Sequence, residues 1–452
     1  MAIDKIIVDE TTGAQAAQII NETIDLAESN VQSVVAGTNV TVDDTDPNNP
    51  IVNAEGGGIE GSQYIFVTAD GTDIENAAEL QAAYDEAKTL TPSATNRITV
   101  IAAPGNYNFE TNVFVMDTEF IDLVSLDGNR SVVFNHPLNT GNRTEGSINI
   151  TANNVFVKGV NVLTKAFTIA TNLNLLKVEN CEIGDSSFAA AVISGTFIDC
   201  TGNIFAFGTG NQTLSGTFIR CEGAFGRTGS TSSGTFTDCT AGLGFGGRGT
   251  ASGTFIRCIT TAITTGASFG GGNGGTASGT FIDCTANGSD SFGGRGLASG
   301  TFIRCRSNRP GAFGGGFNGT ASGTFIDCIA TSGAFGGSTR GQATGTFTNC
   351  IAPNGNSFGG VSSSTTRPGL ASGTFTNCVA GNNSFGQNIT VTGTFTNCIA
   401  GLQSFGAGTT DGVLEGKLLR CTLTAGTFQT PTGTGKIVLG IDGNDDVINL
   451  TA

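Results

Sequence analysis

Short apolar stretches return along this chain in one frame. Ser194-Gly-Thr-Phe-Ile-Asp-Cys200 recurs as Ser215–Cys221, Ser233–Cys239, Ser252–Cys258, Ser278–Cys284, Ser299–Cys305, Ser322–Cys328, Thr344–Cys350, Ser372–Cys378 and Thr392–Cys398. A degraded copy, Glu415–Cys421, follows the series, and a precursor, Leu176–Cys181, leads into it. A second anchor, Phe-Gly, falls between copies, at Phe207, Phe225, Phe245, Phe269, Phe292, Phe313, Phe335, Phe358, Phe385 and Phe405, with Phe188 in the matching place before them. Copies about 18–28 residues apart predict a solenoid, in which each copy is one coil that buries its apolar face only against its neighbours.

Parity alone leaves the direction of the first Phe open. In a straight strand Phe197 and Cys200 would face opposite ways. A bend between them lets both point inward, and we favour the bend because a bare row of phenylalanines would be an aggregation stripe. The residue before each Cys reads Asp199, Arg220, Asp238, Arg257, Asp283, Arg304 and Asp327, then Asn349, Asn377, Asn397 and Arg420. In a parallel stack these are nearest neighbours, so alternating signs pin the register of the coils, and the asparagines continue the row through their amides.

Before the repeats the pattern changes. Ala16, Ile20, Thr23 and Ala27, with Ile24 and Val31, form a stripe that predicts a short amphipathic helix. Apolar and polar residues alternate on both sides of Asp46-Pro-Asn-Asn-Pro50, which predicts a hairpin before Gly56-Gly-Gly58. Further on come a strand at Tyr64–Val67, a helix over Glu75–Lys88 with Ala78, Leu80, Ala83, Tyr84 and Ala87 on one face, and a buried strand at Arg97–Ala103. Short strands at coil-like spacing then follow Pro104-Gly-Asn-Tyr107. The expected organisation is an attachment or oligomerisation region over 1–60, a capping helix with the first coils over 61–180, repetitive coils over 181–430, and a C-terminal cap over 431–452.

Two stretches resemble known families. Ala36-Gly-Thr-Asn-Val-Thr-Val-Asp43, followed by Asp46-Pro-Asn-Asn-Pro-Ile-Val52, is similar to the N-terminal parts of bacteriophage tail-fibre and tailspike proteins. The amphipathic helix followed by Ala103-Pro-Gly-Asn-Tyr107 looks like the entry to the pectin-lyase-like right-handed parallel β-helix, and that likeness runs from Tyr64 to about Phe428. The fold class it implies is all-β, a right-handed parallel β-helix with a small N-terminal attachment region. The phage likeness implies a virion tail protein assembled in the host cytoplasm. Its partners would be other tail or baseplate proteins through the N-terminal region, a host surface polysaccharide, and sister chains in a homotrimer. The β-helix fold by itself carries lyases, hydrolases, adhesins and inert shafts alike.

Composition narrows the chemistry. Of the net charge of −16, all the excess lies before Cys181, where 24 acidic residues meet 8 basic ones; from there on the balance is 13 to 13. A neutral, Gly-rich column lacks the basic face that nucleic acid needs. No apolar run is long enough to span a membrane, so membrane insertion is not expected. The N-terminus does not read as a secretory signal. The twelve cysteines sit one per coil without a Cys-x-x-Cys pair, which argues for buried, reduced thiols rather than zinc ligands. No cofactor is expected.

Binding is placed by the same reasoning on the turns between Phe-Gly and the next Ser-Gly-Thr-Phe, where coils differ most in length and content. These turns hold Arg227, Arg248, Arg295, Arg340 and Arg367 among Ser, Thr and Asn, a ridge able to grip a glycan; the alternative is solvated arginines that keep the column soluble. Carboxylates outside the charged row are sparse: Glu182, Asp185, Glu222, Asp290, Asp411 and Glu415. Of these, Glu182 with Asp185, or Glu222 with an aspartate of the next coil, are the candidate pairs for a glycosidase. The single His136 reads as part of a turn, and Asp442–Asp446 as a turn between two closing strands rather than a calcium loop. The expectation is a non-catalytic fibre that binds a host glycan. A tailspike depolymerase and a passive bacterial adhesin are the alternatives.

Overall fold

The structure is a computed structural model. It describes residues 40–43, 51–54, 62–134, 148–162, 167–170, 172–183, 192–202, 207, 211–226, 229–261, 268–272, 274–309, 311–316, 318–331, 334–337, 341–359, 369–386, 390–406, 413–428, 430–442, 444 and 446–451. The chain divides into two compact units, Met1–Gln63 and Tyr64–Ala452. In the first, Val40–Asp43 pairs antiparallel with Ile51–Ala54, the hairpin that the alternation predicts. The predicted helix around Ala16–Val31 lies outside the described residues, as does His136.

The second unit is an all-β parallel solenoid with one helix among the described residues, α1, over Asp73–Thr89. Thr72 caps α1 and exchanges hydrogen bonds with Glu75 in a capping box, which satisfies two otherwise orphaned backbone donors. The buried face of the helix is Asn76, Ala77, Leu80, Ala83, Tyr84 and Ala87. Ala78, which the sequence pattern puts on that face, is instead exposed. At about 100° per residue Ala77 lies in line with Leu80 and Tyr84, and Ala78 is turned away.

Each repeat contributes three strands to three parallel ladders. The first ladder runs through the Thr-Phe-Ile/Thr segments, as in Thr254↔Thr280, Phe255↔Phe281 and Ile256↔Ile282. The second holds the two residues after each Cys, such as Ile259–Thr260 against Thr285–Ala286. The third precedes Ser-Gly, as in Thr250–Ala251 against Thr276–Ala277. The column ends in an antiparallel pair, Lys436–Ile441 with Val447–Thr451, whose turn is closed by the buried Asp442. Its carboxylate accepts the backbone N–H groups of Asn444 (2.9 Å) and Asp446 (3.0 Å), so this acidic stretch is the turn expected from sequence.

The bend between Phe and Cys is real and has one cause. Every residue of the row before Cys, from Asp199 (φ 53°) to Arg420 (φ 52°), adopts the left-handed conformation, and Asn180 joins them at φ 49°. That single residue turns the chain between ladders, so Phe and Cys both enter the core, each 0–1 % exposed. Left-handed backbone costs an ordinary side chain roughly 1–3 kcal/mol and Asn less. The arginines adopt it nonetheless, because the backbone N–H at this corner is held by the next coil, as in Arg257 N–H to the Ile282 carbonyl at 2.9 Å.

The phenylalanines form two continuous stacks. Rings from Phe197 to Phe395 lie 4.6–4.9 Å apart and nearly parallel. Rings from Phe207 to Phe405 do the same at 4.7–5.0 Å. The stacks meet edge to face, for example Phe292 to Phe302 at 5.6 Å and 79°, which suits the ring quadrupoles. Two rings per coil leave room only for small inward residues on the other ladders. Ala251, Ala277, Ala298, Ala321, Ala343 and Ala371 line the third, and Ala286, Ser307, Ala330 and Ala352 the second. Towards the ends the core widens to Ile193, Leu214, Val391 and Leu414, while Val178 and Leu418 continue the first Phe row. Packing density is thus held along the column.

The thiols fill the remaining corner. From Cys221 to Cys421 each Sγ lies 3.3–3.5 Å from the Phe carbonyl of the preceding coil, as in Cys239 to Phe218 and Cys398 to Phe375, while Cys181 and Cys200 face the Val157 and Val178 carbonyls. All twelve are free and buried. Burial pushes the thiols of Cys181 and Cys258 up, which keeps them protonated and unreactive.

Candidate functional site

The charged row was the most distinctive surface feature of the sequence, and its geometry is specific. Arg220 grips Asp199 with two parallel bonds (Nε–Oδ1 2.6 Å, Nη2–Oδ2 2.7 Å). Arg257 does the same to Asp238 (2.6 and 2.7 Å), and Arg304 to Asp283 (2.6 and 2.8 Å). Each arginine bonds the aspartate of the coil before it; the aspartate of the following coil, Asp238 for Arg220, acts on it only through space. The row is therefore a series of bonded pairs rather than one continuous chain. The arginine partners hold the Asp238 and Asp283 carboxyls below the usual range. Asn349 Nδ2 then donates to Asp327 Oδ1 (2.8 Å), Asn377 to Asn349 (3.0 Å) and Asn397 to Asn377 (3.1 Å). These carboxylates are occupied by their neighbours, and the row acts on coil register.

The arginine ridge is placed in part. Arg227, Arg340 and Arg367 lie outside the described residues. Arg248 and Arg295 occupy equivalent turns, Phe245-Gly-Gly-Arg-Gly249 and Phe292-Gly-Gly-Arg-Gly296, in which two left-handed glycines precede the arginine. Gly249 N–H closes the first turn onto the Gly246 carbonyl at 2.6 Å, and Gly296 closes the second onto Gly293 at 2.7 Å. Both arginines are exposed and lie on the same edge of the column. Since Phe269 comes between Phe245 and Phe292 in the ring stack, the two turns are two coils apart, about 10 Å along the axis. Arg295 is tethered to Asp290 of its own coil at 3.6 Å. Its charge is partly met, whereas Arg248 has no ion pair among the described residues.

Of the two candidate carboxylate pairs, only the one built on Glu222 falls within the described residues, and no aspartate stands beside it in register. Glu182 accepts a hydrogen bond from Asn161 Nδ2 at 3.0 Å, and Asp185 and Asp411 lie outside the described residues. Glu222 faces outward on the second ladder with Thr201 and Thr240 as its register neighbours, not an aspartate. The nearest aspartates in sequence, Asp199 and Asp238, are held by Arg220 and Arg257.

Sequence reasoning overlooked one set of residues, the glycine before each Thr-Phe. A methyl group on Gly253 would strike the carbonyl of Gly234, and the same holds for Gly279 against Gly253 and Gly300 against Gly279. The Gly column is a stacking contact between backbones. Its invariance through the Ser-Gly-Thr-Phe copies was the available signal. Compared with known proteins, the chain matches no protein-family model, no curated protein and no solved structure.

Proposed function

We propose that this protein is a bacteriophage tail fibre or spike, a virion component assembled in the host cytoplasm. In this reading it attaches to other tail or baseplate proteins through its N-terminal region and associates as a homotrimer. It recognises a host surface polysaccharide without cleaving it. The observation that carries the reading is the contrast within each coil. The Phe, Cys and Gly positions repeat almost without change, while the turns after Phe-Gly vary in length and composition and carry exposed Arg248 and Arg295 on one edge. A rigid column with variable turns is a scaffold that presents a binding edge. The likeness of Ala36–Asp43 and Asp46–Val52 to tail-fibre N-termini supports the virion context.

The test is incubation of the full chain with polysaccharide prepared from candidate hosts, read for binding and for products. Binding that weakens several-fold in Arg248→Ser and Arg295→Ser, with no new reducing ends or unsaturated sugars, supports the reading. Released products would replace it with a depolymerase. Failure to bind any such polysaccharide would favour a passive solenoid.

A further inference from the structure

The outward face of the first ladder is more uniform than those of the other two; the third ladder's outward row is likewise uncharged but changes residue type from coil to coil. The position before the inward Phe is Thr in all ten coils from Thr196 to Thr394, and the position after it is Ile or Thr throughout, from Ile198 to Thr396. Register places each of these directly above its equivalent in the next coil. A further hydroxyl row, Ser or Thr, runs two residues ahead of the first. The result is a strip of β-branched and hydroxyl side chains with no charge over ten coils. It is bounded by Lys177 and Glu179 at one end and Lys417 at the other. Other solvent-facing rows on the same column do vary: the second ladder carries Thr201, Glu222, Ile259 and Arg306, and the third carries Thr250, Leu297 and Gln342. Strand propensity alone would have allowed the same drift on the first ladder.

We propose that this Thr/Ile strip is the interface between copies of this chain. Three observations select a second copy as its occupant. The strip repeats at the coil spacing of about 4.8 Å, and another copy of the same strip repeats at the same interval, so side chains can interdigitate along its whole length as in packed parallel sheets. A neutral, partly apolar centre bordered on one long side by the Asp/Arg pairs has the layout of an interface core with a charged rim. Finally, nine steps of about 4.8 Å and a width of about 13 Å give roughly 600 Å² per copy, near the roughly 800 Å² per partner of a standard interface. The proposal rests on the association part of the functional reading and names its surface, the strips of sister chains facing one another about the axis of the homotrimer; it requires neither the glycan nor the virion.

The test uses the full chain and introduced cysteines, since the native thiols are buried. Thr301→Cys sits near the middle of the strip, where equivalent residues of two copies approach in either relative direction. Thr285→Cys projects from the second ladder as the control. After treatment with a short bismaleimide under native conditions, Thr301→Cys should give a covalent dimer at least tenfold more efficiently than Thr285→Cys. Sedimentation of Thr280→Lys and Thr324→Lys, with unchanged circular dichroism, should show weaker association than the parent chain. A chain that sediments as an oligomer without cross-linking through Cys at position 301 would overturn the assignment of the strip while leaving association itself standing. Equal cross-linking at both positions, or a monomer at high micromolar concentration, would overturn it as well.

Discussion

Phe302 offers the most demanding test of the core. Its ring stacks on Phe281 and Phe325, each with centroids 4.8 Å away and planes within 3° of parallel. It also meets Phe292 and Phe313 edge-on, both at 5.6 Å. The side chain is fully buried. Phe302→Ala should therefore destabilise by about 3–5 kcal/mol, the range for emptying a large core site, because in-register neighbours cannot collapse into the gap without breaking both stacks. Phe302→Leu keeps most of the volume and loses the aromatic pairs. The fold already accepts Leu418 at this place beside Phe395, so a smaller loss of about 1–2 kcal/mol is expected. In a solenoid each coil touches only its neighbours, so the effect should be local. Hydrogen exchange is the suited assay: in Phe302→Ala, amides of the coils carrying Phe281, Phe302 and Phe325 should lose protection, while those near Ile121–Ser125 keep theirs. Uniform loss along the whole chain, or a change below about 1 kcal/mol in the alanine variant, would refute the enclosed double stack.

Other consequences follow from the corners and the backbone. Gly253→Ala, which drives a methyl group into the Gly234 carbonyl, should lower stability by about 1–3 kcal/mol or more in chemical denaturation; a neutral result would show that the coils are not so closely stacked. Arg257→Asp breaks the bidentate pair with Asp238 and sets two carboxylates side by side, so its melting temperature should fall below that of Arg257→Asn, whose amide suits the left-handed corner. For pH, the folded-state pKa values of Asp238 and Asp283 are lowered by their arginines. The unfolded chain therefore binds more protons, and the stability from these pairs is present above about pH 4 and is lost as pH falls through the depressed values. Both pairs are exposed to solvent, which screens them; a double Arg257→Asn, Arg304→Asn variant should show a shallower acid dependence in thermal melts. The twelve buried thiols should react with a thiol-specific chromogenic reagent only on unfolding, and rapid stoichiometric labelling of the native chain would contradict the inward cysteine ladder.

How far the sequence could be read varies with the kind of interaction. Phe and Cys repeat at every coil, and a solenoid turns any such repeat into a column, so the ladders were legible before any geometry was known. The corner residue was legible as a row of alternating charge. Its left-handed conformation, and the pairing of each arginine with the aspartate on one side only, were not. The helix face was misjudged by one residue at Ala78, because alanine is apolar enough to fit either side of a short helix and only packing selects Ala77. The arginine ridge was readable as composition, but Arg295 is tethered to Asp290, five residues earlier, through a turn whose shape depends on two left-handed glycines.

What the sequence by itself determined is the column: its period, the repeated Phe and Cys that fill it, and the register of its coils; that Phe and Cys both turn inward was settled only by the left-handed residue between them. These rest on identical side chains placed at one interval, and stacking converts that interval into contact. What only the tertiary structure decided is how backbone and surface meet between coils. The glycine that lets the Gly234 carbonyl approach Gly253, the small alanines that make room for two rings per coil, and the uncharged strip of Thr and Ile all depend on residues distant in sequence. They become neighbours only when one coil lies directly upon the next.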